Sequence, residues 1–213
     1  MKRITSFLGI SALAIIVFSG CVTQKGPQLM GDVRYLSPEG IVAATPKVVV
    51  GVSPFKDERG KPASVLGVKK STQSSRESDL VVQGAGADMV TALFKDALKA
   101  RGFSVKDVAA WDMTAEGINA EGVDVLMSGE IKSLWVETTT SILTVILKAD
   151  ARLRMVAADV PEKKILHATT VNSSLERKNV AFSFEYVQQT LSEVLSSAIN
   201  QVFDDEVIKK KLQ

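Results

Sequence analysis

Apolar and polar residues alternate most cleanly between Leu143 and Met155. Leu143, Val145, Leu147, Ala149, Ala151, Leu153 and Met155 share one parity, and Lys148, Asp150, Arg152 and Arg154 share the other. A period of two over this length predicts a strand with one face in a core and one in water. Upstream, Val123, Val125, Met127, Ile131 and Trp135 alternate with Asp124, Ser128, Glu130 and Lys132, which predicts a second strand carrying Trp135 on its apolar parity. A weaker third strand, Lys164 to Leu175, sets Ile165, His167, Thr169 and Val171 against Leu166, Ala168 and Thr170, after a turn over 158–163. The β-branched run Val48 to Val52, ended by Pro54, reads as a buried strand, and Phe103–Val105 as a short one.

Two stretches change to helical spacing. Met89, Val90, Leu93, Phe94, Ala97 and Leu98 lie on one helical face. Ser78 or Asp79 is available as a cap, Gly84 and Gly86 weaken the first turns so that regular helix starts near Ala87, and Gly102 marks the end. The second helix is expected from about Ser183 to Lys211, buried through Val187, Leu191, Val194, Leu195, Ala198, Ile199 and Val202. Residues 111–122 form a turn or brief helical connection. The resulting order, β-α-β-β-β-β-α, predicts an α/β fold: a two-layer α/β sandwich whose mixed, largely antiparallel sheet carries two main helices on one face. It has too few crossovers for a doubly wound nucleotide-binding fold.

Residues 56–78 (KDERGKPASVLGVKKSTQSSRES) show no clear period and are expected to be a long mobile loop, with Ala63 to Val68 as a short strand or turn. Residues 22–45 are rich in Gly and Pro and read as a tether. Within it Leu29, Met30, Val33, Tyr35 and Leu36 are apolar enough to lie on the domain surface or a sheet edge.

At the N-terminus, Lys2 and Arg3 precede the apolar run Ile4 to Phe18, then Ser19, Gly20 and Cys21. This is the three-part layout of a secretion signal, and the run is shorter than the roughly 20 residues a membrane-spanning helix needs. Val17-Phe18-Ser19-Gly20-Cys21 resembles the lipobox of bacterial lipoproteins, with Phe18 departing from the usual Leu. That resemblance implies diacylglycerol on the Cys21 thiol, cleavage before Cys21 and acylation of the new amino group. It also explains a lone cysteine in an exported chain. Val22 in place of Asp implies sorting to the outer membrane, periplasmic face, in a two-membrane host. The organisation expected is a signal peptide over 1–20, a lipidated tether over 21–45 and a single periplasmic domain over 46–213.

Charge removes some functions. The chain has 26 basic and 24 acidic residues, and Lys2 and Arg3 lie in the segment to be cleaved, so the remainder is balanced. Nothing supports a nucleic-acid partner. Gln83-Gly84-Ala85-Gly86-Ala87-Asp88 lacks the spacing of a phosphate loop. His167, the one histidine, has no nucleophile or metal-ligand set around it in sequence and reads as structural. No catalytic group, metal or cofactor is expected. The candidate contact residues are Asp57, Arg59, Leu66 and Gly67 in the polar loop, Trp135 with the following threonines at a strand end, and a charged patch of Asp150, Arg152 and Arg154 with Glu130 and Lys132.

With Cys21, Val48–Val52, Asp57-Glu58-Arg59 and Leu66-Gly67, then Gly122–Val125, Ala149-Asp150-Ala151 and a closing amphipathic helix, the chain resembles the YajG family of uncharacterised outer-membrane lipoproteins. The resemblance spans most of the chain after Cys21; residues 69–78 depart from it. It implies an address and a fold but no activity. Asp57 and Arg59 match that family's Asp-x-Arg element, and Leu66-Gly67 its following Leu-Gly. Their role is unassigned in that family, and a structural one is the alternative to contact: Arg59 tying the loop back to Asp57 and Gly67 permitting a turn.

The expected function is therefore a non-enzymatic interaction or accessory module, held to the membrane by Cys21, with an envelope protein as partner. Self-association through the edge carrying Leu166, Ala168 and Thr170 is a specific form of it. The alternative is glycan, peptidoglycan or lipid binding in a groove beside the sheet, using Trp111, Trp135 or Tyr186.

Overall fold

The computed structural model describes residues 28–40 and 48–212. The signal segment and Cys21 lie outside them. Nine strands and three helices follow in the order β1 (Gln28–Leu29), β2 (Val49–Val52), β3 (Lys56–Asp57), β4 (Val65–Ser71), β5 (Ser74–Val81), α1 (Gly86–Ala100), β6 (Ser104–Asp107), β7 (Val125–Thr140), β8 (Val145–Asp159), β9 (Lys164–Asn179), α2 (Phe184–Asp204) and α3 (Glu206–Leu212).

The long strand β7 organises the sheet. One of its edges pairs antiparallel with β8 along its whole length, and β8 pairs antiparallel with β9. On the other edge β2, β3 and β4 line up in sequence, all parallel to β7. From that edge the sheet continues to β6 at one end and to β5 and β1 at the other. The mixed α/β class stands, but the sheet curls strongly into a half-barrel, so the expected two-layer sandwich is not borne out as a flat pair of layers. Its inner face wraps around α1 and α2, which share one core with Val125, Met127, Ile131, Leu147, Leu153 and Met155. A second small core lies on the outer face at one end, where Trp111, Ile118, Ala120 and Val123 cover Leu126, Val156 and Ala158.

The 56–78 segment is a hairpin rather than a loop. β4 and β5 pair from Val65–Val81 to Ser71–Ser74 around the turn Thr72–Gln73. Its buried apolar side chains are Val65, Leu66, Val68 and Leu80, while Lys70, Glu77 and Asp79 lie towards solvent and Lys69 stacks on Phe182, so polar residues mask the period. Helix α1 accordingly starts at Gly86 and not at a Ser78 or Asp79 cap. Its first amide donates to the carbonyl of Ala63 at 2.8 Å, which satisfies an end that has no capping side chain. Gly102 ends it as expected, at φ +86, with its amide on the carbonyl of Lys99.

The apolar residues of the tether region lie on the domain as the sequence allows. β1 extends the β5 edge, and Met30 is buried in the main core. Residues 33–36 then run along α2. The amides of Arg34 and Leu36 donate to Ser192 Oγ and Ser196 Oγ at 3.0 and 2.8 Å. Two residues of extended chain advance about 6.6 Å and one helical i, i+4 step about 6 Å, so the two serines meet alternate amides. Tyr35 closes the run, donating its hydroxyl to Asn200 Oδ1 and accepting from Arg101. We expect the double substitution S192A/S196A to release this segment. Trypsin should then cut after the exposed Arg34 several-fold faster than in the unaltered protein, while cleavage elsewhere is unchanged; equal rates would show that the serines do not hold it.

Candidate interaction surfaces

Asp57 and Arg59 meet as the sequence suggests, but inside the fold. The side chain of Arg59 is 3 % exposed and that of Asp57 18 %. Arg59 Nε and Nη2 donate to the two carboxylate oxygens of Asp57 at 2.8 and 2.6 Å. Its remaining N–H groups donate to the carbonyls of Val65 (2.9 Å), Ala63 (3.2 Å) and Leu134 (3.3 Å). One guanidinium therefore joins β3, the 60–64 turn, the start of β4 and the middle of β7. Hydrogen bonds from Arg59 hold the Asp57 carboxyl below the usual range despite its burial.

Leu66 and Gly67 stand beside this clip. Leu66 is fully buried in the main core. Gly67 does not form a turn. It lies within β4 beside a register shift and pairs with Val136 of β7, so close that an added Cβ would overlap the Val136 carbonyl oxygen and side chain. Glycine is required there by approach of two backbones, not by a left-handed conformation.

Trp135 is displaced from its expected parity. A bulge in β7 between Ile131 and Ser133 adds Lys132 without a partner on β8. Beyond it the faces exchange: Leu134 and Val136 enter the core, and Trp135 turns to the outer face, half-buried, with Lys61 Nζ 5.2 Å from its ring.

The charged patch divides in two. Glu130 pairs with Lys132 (2.7 Å) and Arg154 (3.4 Å), and Lys132 reaches Glu58, which also pairs with Lys56. The hydrogen bond from Lys132 lowers the Glu130 carboxyl, and that bond raises Lys132. Asp150 instead accepts from Ser133 Oγ. Asp150 and Arg152 line a shallow groove of about 560 Å³ with Ser133, Thr170, Asn172 and Ser174.

Of the remaining candidates, Trp111 is buried and donates Nε1–H to the carbonyl of Thr114 at 2.9 Å. Tyr186 lies against Arg177 and donates to the carbonyl of Lys178. His167 Nε2 lies 2.9 Å from Asp205 Oδ2. Asp205 also accepts from the amides of Val207 and Ile208, so His167 braces the junction of α2 and α3. Two further anchors escaped the sequence pattern. Asp159, 2 % exposed, is paired to Lys211, tying β8 to the last helix. Asp124 Oδ2 receives the amide of Val49 at 2.7 Å.

Asp57 and Asp159 give the fold a signed pH dependence. Hydrogen bonds from Arg59 and from Lys211 lower their folded values beneath the ordinary 3.8. Their contribution is thus complete above the unfolded value and is lost as pH falls through the folded values. Stability to urea should be flat near neutrality and fall below about pH 4; D159N should flatten the acid limb, and an unchanged limb would remove Asp159 from this role.

No family model matches the chain, and no curated protein does. The chain is similar to several solved structures. XCC0632 from Xanthomonas campestris, of the family DUF330, is 12 % identical at a TM-score of 0.53, over 86 % of this chain and 96 % of that one. CT253 from Chlamydia trachomatis is 12 % identical at 0.46, over 76 % and 96 %. The lipoprotein GNA1162 from Neisseria meningitidis is 15 % identical at 0.36, over 74 % and 99 %. The Xanthomonas protein shows the fold; the two lower scores stand as likenesses only.

Proposed function

We propose that the chain is a lipoprotein of the YajG type, anchored through Cys21 at the periplasmic face of an outer membrane, and that it works as a non-enzymatic module binding an envelope protein. One observation carries the binding surface. The outer face of β7–β9 is covered at one end by Trp111, Ile118, Ala120 and Val123, yet towards the other end Trp135, Arg152, Thr170, Asn172 and Ser174 stay at least partly open. These side chains combine a ring, a cation and small hydroxyls and amides, a mixture suited to a polar protein interface. β9 adds an edge strand that pairs with β8 alone, although Gln201 already occupies the carbonyl of Asn172.

Asp57 and Arg59 take no part in this contact, because each spends its hydrogen bonds within the fold. The glycan-binding alternative draws less support, since the groove at Asp150 and Arg152 is not lined by Trp111, Trp135 or Tyr186.

Cross-linking in intact cells followed by quantitative mass spectrometry tests the reading. One protein should be recovered with the lipidated chain at near-stoichiometric yield, and the double substitution R152E/S174E should abolish it. Recovery of glycan or lipid with no enriched protein would overturn it.

A further inference from the structure

The most exposed large apolar side chains of the described residues gather at one end of the molecule. Ile142 and Leu143, at 78 and 79 % exposure, form the tip between β7 and β8, and Val180, at 83 %, follows the last residue of β9. The register places them together, because Val145 pairs with both Thr140 and Asn179. The β4–β5 turn lies alongside, with the amide of Thr72 on the carbonyl of Thr140 at 3.0 Å.

We infer that this tip inserts into the surface of a phospholipid bilayer, the same membrane that holds Cys21 on the reading above. Residues 138–147, TTTSILTVIL, contain no charge. Two of the turn's amides are satisfied within it: the Ser141 amide donates to the carbonyl of Thr144 at 2.8 Å, and the Thr144 amide donates to Ser141 Oγ at 3.2 Å. Such a turn can leave water without stranding those donors. Charge resumes on the flanking strands at Lys178, opposite Ile146, and at Lys70, opposite Thr139 and paired with Glu137, then at Lys148, paired with Glu176. These positions lie about 3–10 Å of strand from Val145. Ile142, Leu143 and Val180 lie beyond this polar collar, which can rest at the headgroups while they enter the outer layer, roughly 5–10 Å deep, reached by surface-bound apolar groups.

Direction supplies the second argument. β1 runs parallel to β5, and β5 begins at Ser74 beside the tip. β1 therefore starts at its tip-facing end, at Gln28. The level of Ser74 lies about 20 Å from Leu80, the partner of Gln28. A chain the length of 21–27 spans up to roughly 25 Å. Lipid on Cys21 and the apolar tip can reach one membrane without reorienting the domain.

The test uses the full acylated protein in vesicles of phosphatidylethanolamine and phosphatidylglycerol carrying brominated acyl chains. I142W, L143W and V180W are compared with V207W, on α3 at the far end, over the background of Trp111 and Trp135. The three tip tryptophans should emit at shorter wavelength and be quenched about twofold or more by the brominated chains, and V207W should not. Tip emission no more quenched than that of V207W overturns the inference. So does a blue shift that grows with protein concentration in vesicle-free detergent, which would mean that a second copy covers the tip. Mass analysis of the N-terminal peptide separates the two readings. An unacylated Cys21 removes the anchor, while quenching of the same variants in added C21S protein still decides the tip.

Discussion

Replacing Arg59 with Met is expected to destabilise the protein by about 3–5 kcal/mol, the usual cost of removing one partner from a buried ion pair. The magnitude follows from what the guanidinium leaves behind. Asp57 keeps a carboxylate that is 18 % exposed with no cation beside it, and the carbonyls of Val65 and Leu134 lose a donor. Methionine preserves much of the stem, so lost packing contributes little. Urea titration measures the effect, and R59M/D57N should recover part of it by removing the stranded charge. A loss under about 1 kcal/mol would mean that water replaces the guanidinium, as at an exposed pair. It would also return Asp57 and Arg59 to the list of surface contacts.

The second large effect is expected at Gly67. Any side chain there would collide with the Val136 carbonyl, which belongs to the paired backbone of β7 and cannot rotate away. Relief requires β4 to leave β7, carrying with it the β4–β5 hairpin and β1. Overpacking of a core ordinarily costs 1–3 kcal/mol, and a backbone clash in a sheet belongs at or beyond the top of that range. We expect G67V to lower stability by about 3 kcal/mol or more and G67A by less. The amides of β4 should exchange with solvent faster than those of β8 in both. Uniform acceleration across the sheet would instead mean that the hairpin is not a separable unit.

Legibility of the fold tracks how far each element's environment agrees with its period. β8 was plain because its inner residues from Val145 to Met155 are apolar and its outer ones largely charged. The hairpin of β4 and β5 was hidden because its buried positions are few and its outer ones polar on both strands. β7 was read correctly as a strand and incorrectly beyond Ile131, since one bulged residue inverts every later side chain. That error put Trp135 on the wrong face. The roles of Ser192 and Ser196 are not legible in the sequence, which does not reveal the docked amides of Arg34 and Leu36. A serine pair at i, i+4 on the buried side of a helix is a signal that could have been noticed.

The candidate site was legible in its residue types more than in their roles. Asp57 and Arg59 were found together but belong to the interior, and Gly67 is needed for close approach instead of a turn. Asp150 and Arg152 lie on an open face, apart from the ion pairs of Glu130, Lys132 and Arg154. Those distinctions depend on the curl of the sheet and the bulge in β7, neither of which leaves a periodic trace.

The most direct test of the interaction reading is site-specific photo-cross-linking in intact cells, with the reactive residue placed at Arg152 or Ser174 on the bare sheet face and at Gln189 on the exposed side of α2. A single protein adduct of defined mass from both sheet positions, absent from position 189, is the result expected. Adducts of equal yield from all three positions, or none from Arg152 and Ser174, would contradict the assignment of the outer face as the binding surface.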